Sequence, residues 1–221
     1  MGFFCAVARG YNPAMTKPQG PFASRAGEKL DAALDAFGLD VRGMVCADFG
    51  CNVGGFTDCL LRRGARKVYA VDTGYGELAW KLRTDARVVV LERTNALHAD
   101  CPEPADLVVC DVAWTPQERI VPAAARWLKD GGRIVSLLKP HYELSKLRGR
   151  KPPGPLAPGQ AEHICREICE RLGEAGFTLR AAMRSVLRGK GGNTEFLLWI
   201  VPGEKQSTNC TKYTKEERTE D

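Results

Sequence analysis

The chain has 221 residues, 44% apolar and 27% charged, which is ordinary globular composition with material for one sizeable core. Lysine and arginine exceed aspartate and glutamate by 32 to 27, a net charge of +5 that favours an acidic partner such as nucleic acid without requiring one. No apolar run approaches the length of a membrane span, and "MGFFCAVARG" lacks both the basic n-region and the long apolar stretch of a secretory signal, so a cytoplasmic protein that avoids membranes is expected.

Residues 1–21 read as a flexible leader. Ser24 is then placed to cap an expected helix in which Leu30, Ala33, Leu34 and Phe37 recur at i, i+3, i+4 and i+7, with Gly38 as its stop. From there strand and helix signals alternate. Apolar runs at "MVCADF", "KVYAVD", "RVVVLE", "LVVCD" and "RIVSLLK" are separated by helical stretches around Gly55 to Arg63, Leu78 to Arg83 and Gln117 to Lys129. Continuous apolar strands linked by helices imply a parallel sheet covered on both faces. After a helix from Gln160 to Ala175 come "FTLRAAMRSVL" and "TEFLLWIVP", joined only by "RGKGGN", which is too short for a parallel crossover and predicts an antiparallel hairpin. The expected fold is α/β: a Rossmann-like, mostly parallel seven-stranded sheet with a C-terminal antiparallel hairpin. One domain over residues 22–202 holds it, and the polar tail over 203–221 is expected to be disordered.

The nine cysteines, Cys5, Cys46, Cys51, Cys59, Cys101, Cys110, Cys165, Cys169 and Cys210, form no C-x-x-C pair, and several lie inside apolar runs. That usage suits free buried thiols in a reducing compartment. Cys165 and Cys169, one helical turn apart near His163, lack the further ligands a zinc site needs, so core packing is preferred and no metal is expected.

The stretch "DFGCNVGGFTD" follows the first strand and opens a helix, so backbone N–H groups and a helix N-terminus face whatever lies beyond the strand ends. Its glycine spacing is G-x-x-x-G-G and not the dinucleotide G-x-G-x-x-G. Asp72, at the end of the second strand, is placed to accept hydrogen bonds from both hydroxyls of a ribose. The Gly-rich loop and Asp72, taken with the terminal hairpin, favour S-adenosylmethionine over NAD. The expected cofactor wall is Asp48, Gly50, Cys51, Asn52, Gly54, Gly55, Phe56, Asp72, Asn95 and Asp111. Glu92 and Asn95 serve equally well as an adenine-pocket lining or as loop caps.

A second constellation concerns "RIVSLLKP", where a core strand ends on Lys139. Ligands of open sheets bind beyond the carboxyl ends of the strands. Asp111 ends one such strand and Lys139 the next. Glu195 begins the antiparallel strand, which places it on the same edge, and Lys29 on the first helix supplies a fourth charge.

The segments "SRAGEKLDAALDAFGLDV", "DFGCNVGGFTDCLLRRGARKVYAVDTGYGELAWKLR", "VLERTN" and "GNTEFLLW" resemble the TlyA-type haemolysin family, within the FtsJ-like group of RNA ribose 2′-O-methyltransferases. The resemblance runs from about Phe22 to Val201 and implies S-adenosylmethionine as methyl donor. It also implies a catalytic tetrad of lysine, aspartate, lysine and glutamate, which here falls on Lys29, Asp111, Lys139 and Glu195.

On that basis Lys139 is expected to act as base toward a ribose hydroxyl, with its pKa lowered by burial and a second ammonium group. Asp111 and Glu195 orient the lysines, and Lys29 positions the hydroxyl or steadies the developing oxyanion. The implied partner is RNA, most plausibly ribosomal RNA or a ribosomal subunit. Two other readings stay open: a small-molecule or protein acceptor, and a non-catalytic RNA-binding relative. Typical members carry a small amino-terminal RNA-binding domain that the residues before the first helix are too few to form, so a partner protein is expected to replace it. The stretch 140–159, with Lys146, Arg148, Arg150 and Lys151 among prolines and glycines, reads as a long structureless loop, either a phosphate-tracking lid or a solvated excursion. Trp114 and Tyr142 are candidates for stacking on a base or for wall packing.

Overall fold

A computed structural model describes residues 21–149, 154–157 and 159–203; the expected leader and tail lie outside the described residues, apart from Pro21 and Gly203. The chain opens with helix α1 (Ala26–Phe37), whose buried face carries Leu30, Ala33, Leu34 and Phe37, and which Gly38 ends in a left-handed conformation at φ 64°. Strand β1 (Val45–Phe49), helix α2 (Gly55–Arg62), strand β2 (Lys67–Val71), the single turn α3 (Trp80–Arg83) and strand β3 (Val88–Leu91) follow. Next come β4 (Ala105–Cys110), α4 (Gln117–Ala125), β5 (Leu128–Leu138), α5 (Pro140–Arg148), α6 (Gln160–Glu174), β6 (Phe177–Arg184) and β7 (Phe196–Pro202).

The seven strands form one sheet in the order β3-β2-β1-β4-β5-β7-β6. The first five pair in parallel, and β7 inserts antiparallel between β5 and β6. Strand residues alternate between two cores. Val45, Ala47 and Phe49 of β1 join Trp127, Ile134 and the inner face of α6 on one side, while Cys46, Val68 and Val135 pack under α1 and α2 on the other. Burial of β1 on both faces explains why its sequence reads as a continuous apolar run. Trp127 closes the first core edge-on to Phe49, with ring centroids 5.0 Å apart.

The structure corrects three sequence expectations. Residues 140–148 form α5 and not part of a structureless loop. Pro140 sits at the first helical position, where a missing N–H costs nothing, and buried Leu144 docks the helix. Of the basic residues expected in a lid, Lys146 is exposed on this helix, whereas Arg150 and Lys151 lie outside the described residues. Helix α4 stops at Ala125 because Leu128 already pairs with Ala105, extending β5 backwards through an irregular register. Strand β6 ends at Arg184, so the hairpin connection is longer than its sequence suggested and includes a 3₁₀ turn at Lys190–Gly192.

Candidate active site

Pairing stops at one edge of the sheet. The last rungs are Phe49 with Cys110, Cys110 with Ser136, and Leu138 with Phe196. The next residues, Gly50, Asp111, Lys139 and Glu195, therefore emerge together, since the start of antiparallel β7 lies beside the end of parallel β5. A cleft opens there with two lobes of about 280 and 240 Å³ that share Gly50, Asn52, Asp111 and Ala113.

The larger lobe is bounded by Asp72, Thr73, Asn95, Ala96 and Trp114. Asp72 is fixed by its own loops: Oδ2 accepts the N–H of Asn52 and Oδ1 that of Gly74, both at 2.8 Å. Each carboxylate oxygen retains a second lone pair for an incoming donor. Asn95 lines the lobe while its Oδ1 accepts the Leu97 N–H at 3.0 Å, so its NH₂ group is what it can offer a ligand. Glu92 is turned elsewhere, pairing with Arg83 and accepting the Gly76 N–H.

The smaller lobe is walled by Ser24, Ala26, Cys51, Gly55, Phe56 and Lys139. Burial pushes the Cys51 thiol up, so it contributes packing and not a thiolate. Ser24 and Ala26 were not foreseen in this wall. The signal for them is the glycine at 55: a Cβ there would come within 2.3 Å of Ser24 Oγ and 2.9 Å of Ala26 Cβ, so only glycine lets the start of α1 close over the loop.

Two expected wall residues stand behind the cleft. Gly54 lines neither lobe; at φ 98° it starts α2, and Leu78 and Leu82 occupy the space a side chain would need. Asp48 is fully buried beneath the loop, with Oδ2 accepting the Thr57 hydroxyl at 2.7 Å and Oδ1 without a hydrogen-bond partner. Burial pushes its carboxyl up to about 7; Thr57 opposes that shift, while the charges of Asp111 and Asp72 add to it.

The four charged residues of the rim form two ion pairs. Lys139 Nζ lies 2.6 Å from Asp111 Oδ1 and also donates to the Val112 carbonyl at 3.2 Å. Lys29 Nζ lies 2.6 Å from Glu195 Oε2, between α1 and the head of β7. Only the first pair belongs to the cleft wall; the second adjoins it, since Lys29 follows Ala26 by less than one helical turn. Beside Lys139 the rings of Trp114 and Tyr142 pack at an interplanar angle of 36° with centroids 4.6 Å apart, and the ammonium sits 5.9 Å from the Tyr142 ring. Trp114 is 54% exposed and holds φ at 64°, a left-handed conformation unfavourable for so bulky a residue.

Among the described residues no group of three or more histidine, cysteine, aspartate or glutamate side chains is arranged to hold a metal ion, and no helix is long and apolar enough to cross a membrane. Cys165 is buried and Cys169 half-buried in α6, both as free thiols.

The arrangement can bind a nucleoside in the larger lobe and place a lysine–carboxylate pair against whatever reaches the smaller one. The chain is 40% identical over 192 residues to the 16S/23S rRNA (cytidine-2′-O)-methyltransferase TlyA of Mycobacterium tuberculosis, covering 84% of this chain and 70% of that protein. It is 36% identical over 186 residues to Hemolysin A of Brachyspira hyodysenteriae, covering 81% of this chain and 77% of the relative. A solved structure of a candidate hemolysin from Streptococcus thermophilus superposes with a TM-score of 0.78 at 34% identity, covering 86% of this chain and 70% of that one. The model of the FtsJ-like methyltransferases matches residues 22–201. The chain belongs to the FtsJ-like methyltransferase family.

Proposed function

We propose that this protein transfers a methyl group from S-adenosylmethionine to a ribose 2′-hydroxyl of RNA, with ribosomal RNA as the substrate and the cytoplasm as its place of action. The observation that carries the reading is the Lys139–Asp111 pair, 2.6 Å apart in the wall of a nucleoside-sized cleft at the carboxyl edge of the sheet. The ribosomal RNA methyltransferase activity in the name of the Mycobacterium tuberculosis relative supports the acceptor. Free thiols at all seven described cysteines support a reducing compartment.

Asp72 and Asn95 would hold the ribose and base of the donor, and Gly50, Asn52 and Phe56 its remaining length. When bound, S-adenosylmethionine supplies an electrophilic methyl group on a sulfonium. The residues of the chain do the rest. Lys139, held by Asp111 and the Val112 carbonyl, takes the proton of the ribose hydroxyl as that oxygen attacks. For this it must be neutral at the moment of attack. Lys29, anchored by Glu195, steadies the oxygen as negative charge develops on it. Trp114, exposed at the mouth and packed against Tyr142, offers a ring face on which the target base can stack.

Incubation with methyl-labelled S-adenosylmethionine and separate RNA, protein and metabolite fractions tests the reading. Label is expected in RNA alone. Label confined to either other fraction would replace RNA as the acceptor.

A further inference from the structure

Among the buried charges that the mechanism does not use is Glu143, on the first turn of α5 and 4% exposed. Its Oε1 accepts the backbone N–H of Gln117 at 3.0 Å. That N–H is the first of α4, a helix-end donor with no partner inside its own helix. Gln117 in turn grips the end of β5. Its Oε1 accepts the Ser136 hydroxyl at 2.7 Å, and its Nε2 donates to the Leu137 carbonyl at 3.3 Å. Lys139 follows directly, and its own carbonyl accepts the N–H groups of Tyr142 and Glu143 as α5 begins. On the other side, the segment entering α4 carries both partners of the lysine ammonium, Asp111 Oδ1 and the Val112 carbonyl. The Glu143–Gln117 bond thus ties the strip that carries the lysine to the strip that carries its partners.

We infer that Glu143 is a positioning residue for Lys139: its buried carboxylate bolts α5 to the head of α4, holds the lysine against Asp111, and slackens when protonated. The inference rests on the reading of Lys139 as the base. Buried Leu144 keeps α5 docked in the absence of the carboxylate, so Glu143 sets where the helix starts and not whether it exists. The charges facing it come from three elements. Glu118 of α4 raises its pKa, Arg171 of α6 lowers it, and Lys139 precedes it by one turn; His141 is buried beside it on α5. Burial dominates and pushes the carboxyl up to about 7, so the joint changes state near neutrality. An ionised acceptor makes a bond about twice as strong as a neutral one, which gives the ionised form the firmer joint.

The test uses the full chain with ribosomal RNA from cells lacking this protein, comparing Glu143→Gln and Glu143→Ala with the wild type. Glu143→Ala is expected to lower kcat about 10- to 100-fold, the cost of a base displaced by up to an ångström, while KM for RNA and the Kd for S-adenosylmethionine hold. Glu143→Gln keeps an acceptor for the Gln117 N–H, so it should recover part of kcat and erase the inflection near pH 7 in the wild-type profile. Hydrogen exchange over residues 139–149, corrected for intrinsic rates, should slow from pH 6 to pH 8 in the wild type and show no such change in either variant, with residues 50–60 unaffected. This last readout needs no RNA. A wild type that labels no RNA would therefore sink the proposed function while the exchange data still judged the joint. Variants that match the wild type in both pH profile and exchange would overturn the inference, as would a fall in kcat accompanied by an equal loss of cofactor affinity.

Discussion

The two lysine–carboxylate pairs share a separation of 2.6 Å and little else. Lys139 and Asp111 keep 13% and 20% of their side chains exposed in the cleft wall, whereas Lys29 and Glu195 keep 11% and 4%, so the lysines are about equally open and the difference lies in the carboxylate, which is covered for Glu195. Glu195 is hemmed in further by the hairpin connection, where a Cβ on Gly189 would come within 2.0 Å of its Oε1. A pair with an open side can exchange a proton with an incoming group. A carboxylate as covered as Glu195 has lost its hydration and depends on its lysine. Equal distances thus conceal different settings: the first pair faces the cleft, where the proposed chemistry would use it, and the second pins the amino-terminal helix to the last strand of the sheet.

The sharpest way to break this comparison is Lys139→Ala. Methyl transfer in single-turnover assays should fall about 10²- to 10⁴-fold, the range for loss of a general base, with the cofactor Kd unchanged in equilibrium dialysis. A matching loss of cofactor binding would make Lys139 part of the donor pocket instead. Lys29→Ala should act on folding as well, costing about 3–5 kcal/mol in urea denaturation because Glu195 is left buried and unpaired. Adding Glu195→Leu should recover part of that stability, and Lys139→Ala should cost less in the same measurement. Equal costs for the two lysine variants would erase the distinction between the pairs.

Smaller effects sharpen it. Trp114→Ala removes the exposed ring beside Lys139, and should raise KM for RNA by the equivalent of about 1–3 kcal/mol of base stacking with kcat retained. An unchanged KM would assign the ring to wall packing. Asp48 provides a test away from the reacting groups. Burial lifts its carboxyl from 3.8 to about 7, so the folded state holds that proton more tightly than the unfolded chain does. Its contribution to stability is complete below about pH 4 and is lost as pH rises toward 7. Asp48→Asn is uncharged at every pH, so the stability difference between variant and wild type should grow in the variant's favour over that window. A constant difference would mean that Asp48 ionises as an ordinary carboxylate.

The sheet could be read from the sequence because strands buried on both faces leave continuous apolar runs, and because "RGKGGN" is too short for a crossover. The common edge of Asp111, Lys139 and Glu195 followed from strand direction alone, and the register of β5 with β7 places them there. Their pairing could not be read, since it depends on where Lys29 of α1 meets β7. Helix α5 was hidden by the prolines and glycines that follow it, although Pro140 directly after a strand was an available start signal. Gly54 looked like an opening for a ligand and proved to be room for Leu78 and Leu82, a packing demand set by a distant segment. Glu143 gave no warning either: a single acidic residue in "PHYELSK" reads as a solvated face until α4 is set against it. Trp114 was visible as an aromatic near the rim, but its left-handed backbone belongs to the turn between β4 and α4 and has no sequence signature.

The central claim is that the oxygen methylated is a ribose 2′-hydroxyl, deprotonated by Lys139. The most direct check is to digest RNA labelled from methyl-labelled S-adenosylmethionine to nucleosides and to identify the labelled product for the wild type and for Lys139→Ala. A 2′-O-methylated nucleoside with the wild type and none with the variant is the expected result. Label on a base, or undiminished ribose labelling with Lys139→Ala, would contradict it.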